Sequence, residues 1–438
     1  MSWAPKFFDV PFSHPAPKYS GTIIANHARP RFAQASSSSK SHKEGSIQVS
    51  EESDSPSLSY PIIAHCHLCW DWVWQRPQQF LSRLSQRHRV LFVETRAPDP
   101  GLVTPLARWR SVDGLPNLTL LSLQFPAFSW GEGAYVDAER RRLVQEALRG
   151  PLAGKFENAV QWFYDPMAVT AFAGHLGEIV TVYDCMDELS KFNGAPAELV
   201  ERETALLARA DVVFAGGRKL QEAKSRQNSN CHFFGCGVDL NHFGRAREAQ
   251  TVVPPDLSSL PKPVLGYFGV VDERLDYDLI ARLAEANSRG SVVMIGPVIK
   301  VEERSLPRRK NLHWLGGRDY SQLPAYCKGF NLCLMPFALN AATEFINPTK
   351  ALEYMAARRM IVSSAVPDVV RNFGAVVKVA ANPEEFIAFC KEAVEKPDEA
   401  ALERGLRLAA ENSWESIVDQ MEKRINEVAA CGEKQQVA

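Results

Sequence analysis

Short apolar runs that end in polar or glycine-bearing loops, each followed by a stretch of helical periodicity, recur along this chain from residue 61 to residue 379. The first unit is the clearest. Pro61-Ile-Ile-Ala64 reads as a buried strand, 65–77 as a loop, 78–86 as a helix with Phe80, Leu81 and Leu84 on one face, and Val90-Leu-Phe-Val93 as the next strand. Strand, helix, strand in that order gives parallel neighbours, and a parallel sheet needs helices over both faces. Further strands are predicted at 118–123, 159–163, 179–183 and 211–215, then at 263–269, 291–296, 311–317, 332–337, 360–364 and 374–379. The alternation implies an α/β chain of doubly wound, Rossmann-like units, in which ligands bind outside the carboxyl ends of the strands.

A length of 438 residues with 45% hydrophobic side chains suits two or three domains with sizeable cores. Fifty Lys and Arg nearly balance 51 Asp and Glu, so no whole-chain field points to nucleic acid. Basic clusters stand at Arg140-Arg-Arg142 and Arg308-Arg-Lys310, of which the first is the candidate for contact with an anionic membrane surface. Nine scattered cysteines, odd in number, form no paired C-x-x-C framework, as expected of a reducing cytosol, and neither a signal-like start nor an apolar run of spanning length is present. The expectation is a cytoplasmic protein, with peripheral contact to the inner face of the membrane left open. Residues 1–58, rich in Ser, Pro, Lys and Glu, are expected to be disordered. The Pro-rich stretch 251–263 is the expected linker, giving an ordered unit at 59–250, a second at 251–411, a closing helix at 412–430 and a polar tail at 431–438.

Four loops carry chemistry at predicted strand ends. The first holds His65, His67, Trp70, Asp71, Trp72, Trp74 and Arg76; the histidines have no third partner at metal spacing, so no metal is assigned, and the tryptophans suit stacking on a sugar as well as packing. The second holds Asp184 and Asp187, read as lining a cleft rather than moving a proton. The third follows Gly269 and contains Arg274; Asp276 and Asp278 beyond it fall in a first helical turn, where acids are common. The fourth is Glu344-Phe-Ile-Asn-Pro-Thr-Lys-Ala-Leu-Glu353, in which Asn347 suits a helix N-cap and Pro348 the first helical position. A helix start with Lys350 in its first turn favours a phosphate, and three-residue steps bring Glu344, Asn347, Lys350 and Glu353 to one side.

This fourth segment resembles the nucleotide-sugar signature of GT-B glycosyltransferases of the glycosyltransferase family 4 type. There, two glutamates separated by seven residues bracket the donor sugar, whereas eight separate Glu344 from Glu353. Residues 70–78 (W-D-W-V-W-Q-R-P-Q) resemble the opening loop of a bacterial branch, and Gly235-Cys-Gly-Val-Asp239 resembles the family's N-G-V-D segment with Cys236 in place of Asn. Val270 stands where the family has an arginine. The closing stretch from Ser413 resembles the helix that crosses back to the first domain.

The resemblance spans residues 61 to 428 and implies two Rossmann-like domains facing each other across a cleft. It implies retaining, metal-independent transfer of a sugar from a nucleotide sugar, most simply a UDP-sugar, to a glycan, lipid-linked or small-molecule acceptor in envelope polysaccharide synthesis. On that footing Arg274, Lys350 and amides near Asn347, Pro348 and Thr349 meet the diphosphate. Glu353 meets the ribose, Glu344 the sugar, the backbone at Gly269 the phosphates, and Gly316 and Gly317 the base. His65, His67, Trp70, Asp71, Arg76, Asp184 and Asp187 lie on the acceptor side. A non-catalytic nucleotide-sugar binder and a UDP-sugar epimerase remain alternatives.

Overall fold

The computed structural model describes residues 21–24 and 60–436, apart from residues 73, 132 and 193. In chain order the strands are β1 (Gly21–Ile24), β2 (Ile62–Cys66), β3 (Val90–Thr95), β4 (Leu106–Val112), β5 (Leu115–Gln124), β6 (Val160–Phe163), β7 (Val180–Cys185), β8 (Val212–Ala215) and β9 (Cys231–Phe233). They are followed by β10 (Val264–Phe268), β11 (Ser291–Ile295), β12 (Leu312–Gly316), β13 (Leu332–Met335), β14 (Ile361–Ser364) and β15 (Lys378–Ala380). They form two sheets, ordered β1-β4-β5-β3-β2-β6-β7-β8-β9 and β12-β11-β10-β13-β14-β15. Every pairing is parallel except those of β4 with β1 and β5. The doubly wound expectation therefore holds. In each sheet the chain first winds outward one way and then returns to the other side of its starting strand, which puts a crevice at the carboxyl ends of β2 and β6 and another at those of β10 and β13.

Near-continuous burial along β2, β3, β7, β10 and β11 explains why these strands are plain in the sequence: both faces are covered, so nearly every position is apolar. Strand β4 was not predicted because it alternates, exposing parts of Arg108–Ser111 on an antiparallel flank. Strand β1 lies inside the segment expected to be disordered, where a Gly-Thr-Ile-Ile run pairs Gly21 with Trp109 through Ile24 with Leu106. The rest of residues 1–58 lies outside the described residues. Two further differences concern boundaries. Val238, Phe243 and Ala246 pack into the core beneath the second sheet, so the unit expected to run to residue 250 loses its last segment to the second domain. The final helix runs from Trp414 to Gln436, taking in most of the expected tail.

That helix lies on the first domain. Trp414, Ile417, Val418, Met421 and Ile425 join the cluster around Phe80 and Leu84, with Trp414 edge-on to Phe80 at 5.2 Å, and His88 Nε2 lies 2.5 Å from Glu422.

Candidate active site

The loop after β10 begins at Gly269, whose φ of +145° suits glycine, and the side chain of Lys350 lies directly across it. A Cβ at position 269 would fall 2.0 Å from Cε and 2.6 Å from Nζ of Lys350. Lys350 is the first residue of the helix Lys350–Ala356, which is keyed to β10 by Tyr354: its hydroxyl accepts the Phe268 amide at 3.1 Å, and its ring meets Phe268 edge-on at 4.8 Å. Fixed this way, Lys350 and, one turn on, Glu353 stand at the crevice of the second sheet. Burial pushes the Lys350 ammonium below its ordinary value, with Glu353 opposing and Arg274 adding to the effect. Burial likewise pushes the Glu353 carboxyl up to about 7 against the pull of Lys350.

Arg274 reaches the same place from the far end of the loop. Its Nε lies 2.9 and 3.0 Å from the Asp272 carboxylate oxygens and its Nη2 lies 2.7 Å from Oδ2. The guanidinium sits 5.7 Å from the ring centre of Phe192, a first-domain residue. Asp187, also of the first domain, has its carboxyl pushed up by burial, with Arg274 opposing and Asp272 adding. Lys350, Glu353, Arg274 and Asp187 therefore converge on one seam between the domains.

Other expected residues are placed differently. The helix starts at Lys350, not at Pro348, so Asn347 is no N-cap; its Nδ2 donates to the Gly216 carbonyl at 3.2 Å, across the seam. A seven-residue helix has a weak dipole, and the positive charge here comes from side chains. Pro348 is buried, and Thr349 contacts the thiol of Cys236, which Arg76 also approaches. Glu344 is ion-paired with Lys219 of the first domain. Gly316, with φ of +71°, ends β12, and Gly317 is exposed; the Gly316 carbonyl accepts the Gly296 amide, so these residues border the same rim as Gly269. Asp276 caps the helix Tyr277–Ala286 by accepting the Leu279 amide, which accounts for the acids there without a metal.

On the acceptor side five residues, His65, Trp70, Asp71, Arg76 and Asp184, are placed differently from expectation. His65 belongs to β2 and faces the core, stacked on Phe172 at 4.2 Å and bonded to Gln161 at 2.9 Å; burial pushes it down to about 3, so it stays neutral. The strand ends two residues later than predicted, so His65 lies within it rather than in the loop. Trp70 is 5% exposed and packs edge-on against Phe92 and Trp74, leaving Trp74 as the more accessible indole. Asp184 is fully buried and holds Arg76, whose Nε lies 2.9 Å away and whose Nη1 donates to the Phe234 carbonyl at 2.7 Å. This pair is a strut under the seam. Asp71 is spent on Arg96 and Arg110 at an outer surface. His67 does stand at the crevice, with Nδ1 3.1 Å from the Tyr164 carbonyl. The basic run at 140–142 offers no membrane patch: Arg140 binds Thr95, Arg141 donates to the carbonyls of Thr170 and Ala171, and Arg142 pairs with Glu139 and Glu146. No described helix is long and apolar enough to cross a membrane, and no described group of three or more His, Cys, Asp or Glu is placed to hold a metal.

Among solved structures, the trehalose-6-phosphate protein of E. coli bound with UDP-2-fluoro glucose is similar over 84% of this chain and 99% of its own, with a TM-score of 0.62 at 12% identity. The sucrose-phosphate synthase of Thermosynechococcus elongatus is similar over 85% of this chain and all of its own, also at 0.62, with 15% identity. The chain has the GT-B glycosyltransferase fold. In sequence it is 22% identical over 319 residues to TuaH of Bacillus subtilis, named for teichuronic acid biosynthesis as a glycosyltransferase, covering 66% of this chain and 78% of that protein. No family model matches.

The GT-B seam also contains residues that sequence reasoning did not single out. Lys300 follows β11 and reaches Phe192. Asp368 of the second domain accepts the Arg218 amide of the first at 2.8 Å, packed so closely that a Cβ on Gly217 would come 2.6 Å from its carboxylate. Neither lies in a motif; only the approach of the two domains gives them a place.

Proposed function

We propose that this chain transfers a sugar from a nucleotide sugar, in the first instance a UDP-sugar, to a carbohydrate or lipid-linked acceptor in envelope polysaccharide synthesis, with retention at the anomeric carbon and without an essential metal. The observation that carries the reading is the lysine laid across Gly269 and flanked by Glu353 and Arg274 at the switch point of the second sheet. A diphosphate entering there meets Lys350 directly and Arg274 in place of part of its Asp272 contact. Glu353 accepts the ribose hydroxyls, and the backbone at Gly316 and Gly317 borders the base. Glu344 meets the sugar after parting from Lys219.

During transfer the bond from the anomeric carbon to the diphosphate breaks, and a bond to an acceptor oxygen forms on the same face. The acceptor's hydroxyl proton passes to the departing diphosphate. Charge grows on that leaving group, so cations fixed in advance beside it lower the barrier. Two cations can supply what a metal supplies elsewhere. The names of the similar proteins support the reading: one structure holds UDP-2-fluoro glucose, and TuaH is named as a teichuronic acid biosynthesis glycosyltransferase.

A thermal-shift screen with UDP, GDP and ADP, in the presence of EDTA, tests this reading. UDP is expected to raise the melting temperature most, and a flat response to all three would remove the donor assignment. A second expected result concerns protons. Glu353, at about 7, is half protonated near neutrality, and hydroxyl donors favour its charged form. Binding of UDP-glucose should therefore release protons at pH 7, and affinity should rise from pH 6 to 8. Calorimetry in buffers of different ionisation enthalpy measures the release; Glu353→Gln should remove it, and an uptake of protons would reverse the assigned role.

A further inference from the structure

The helix Arg218–Lys224 has no cap from its own domain: Gly217, before it, has no side chain, and the carboxylate that meets its first amides comes from the second domain. Asp368, in the first turn of the helix Pro367–Phe373, accepts the Arg218 amide at 2.8 Å and the Lys219 amide as well, and is only 2% exposed. An acid at the first amides of a helix stabilises its start, and here the two halves of the arrangement belong to different domains. The glycine is fitted to the same contact. Its φ of −137° is open to any residue, so the backbone does not ask for glycine. A Cβ there would meet Asp368 Oδ2 at 2.6 Å, the Phe345 carbonyl at 3.2 Å and Asn347 Cβ at 3.7 Å. These three nearest atoms all belong to the second domain, so it is the approach of that domain that leaves no room for a side chain.

The helix that supplies Asp368 also holds the segment leading to Lys350. Asn372 Nδ2 donates to Asn347 Oδ1 at 3.4 Å, Asn347 Nδ2 donates to the Gly216 carbonyl at 3.2 Å, and Phe345 packs against the first-domain core. The segment is clamped between the turn at 216–219 and the helix Pro367–Phe373. Lys219 takes part twice, through its amide to Asp368 and through its side chain to Glu344. The side chain can therefore release Glu344 while the amide keeps the domains joined. We propose that Asp368 is a positioning residue: by capping a first-domain helix across the seam, it sets the first domain, with the acceptor it carries, against the donor segment for transfer. This rests on the nucleotide-sugar reading of the same seam. Lys350, Glu353 and Arg274 all belong to the second domain, so the nucleotide binds without the contact, whereas attack by an acceptor needs both domains in register.

Three measurements on the full chain test it: small-angle X-ray scattering, calorimetry with UDP, and UDP release from UDP-glucose with glucose and glucose 6-phosphate offered as acceptors. Gly217→Ala obstructs the contact from the first domain, and Asp368→Ala removes it from the second. Asp368→Asn keeps an acceptor oxygen; it should recover part of the loss, and it stands in if Asp368→Ala fails to fold. Each alanine variant is expected to show a larger radius of gyration than wild type, a kcat lower by about tenfold or more, and UDP affinity within about threefold. Together they should lose no more than the worse of the two, because both act on one contact. A contact that adds stability alone would leave kcat unchanged in the folded molecules. Scattering decides if neither acceptor is used. Scattering like that of wild type in both variants overturns the proposal, as do losses of kcat that multiply in the double variant. So does a loss of UDP affinity of about tenfold in both, which would make the contact part of the nucleotide site. If wild type binds no UDP and the variants still expand, the donor reading fails while the joining of the domains by Asp368 stands.

Discussion

Replacing Lys350 with alanine is expected to weaken UDP binding by roughly tenfold to more than a hundredfold, the loss of one charge-assisted contact worth about 1.5 to 3 kcal/mol. The case rests on how its ammonium is held. The side chain crosses Gly269, where no Cβ could stand, and its helix is fastened to β10 through Tyr354 and Phe268. Lys350 is therefore set in place before the ligand arrives, and little ordering is left to oppose binding. Val270 stands where the resembled family has a cation, so Lys350 and Arg274 carry the positive charge assigned to the diphosphate. Turnover should fall further than affinity, because the same charge stabilises the leaving group as it forms. Titration of UDP into the variant, beside turnover with a UDP-sugar, checks both; affinity within threefold of wild type would count against the assignment.

Removing the carboxylate of Asp184 is expected to cost about 3 to 5 kcal/mol of stability, because it strands a buried guanidinium. Arg76 is 4% exposed and Asp184 has no exposure at all. The arginine also donates to the carbonyls of Phe234 and Gly235, at 2.7 and 3.2 Å, and so fixes the segment that carries Cys236 toward Thr349. Asp184→Ala should lower the unfolding free energy obtained from denaturant titration by that amount, while Asp71→Ala, which removes an exposed partner of Arg96 and Arg110, should change it by no more than about 1 kcal/mol. Equal effects from the two would show that burial of the pair does not matter.

The same residues show where reading from sequence stops. Parallel strands buried on both faces announce themselves as apolar runs, and the order of strands, loops and helices was legible for that reason. Local spacing also placed Lys350 and Glu353 together, since one helical turn joins them whatever surrounds the helix. Residues near strand ends were less legible. Strand β2 extends two positions past its predicted end, so His65 lies in the strand rather than in the loop. Asn347 and Glu344 are also engaged by the first domain, through Gly216 and Lys219, and nothing local encodes that approach. Phe192, Asp187 and Lys300 come together from two loops, one in each domain. Their meeting is a property of the assembled fold.

Backbone hydrogen exchange with and without UDP addresses the location of the donor site most directly. The expected result is added protection in three stretches, 269–274, 316–317 and 344–353, with no comparable change in the loops around Asp71 or in the closing helix. Protection concentrated in the first domain, or none at saturating UDP, would contradict a nucleotide held at the lysine across Gly269.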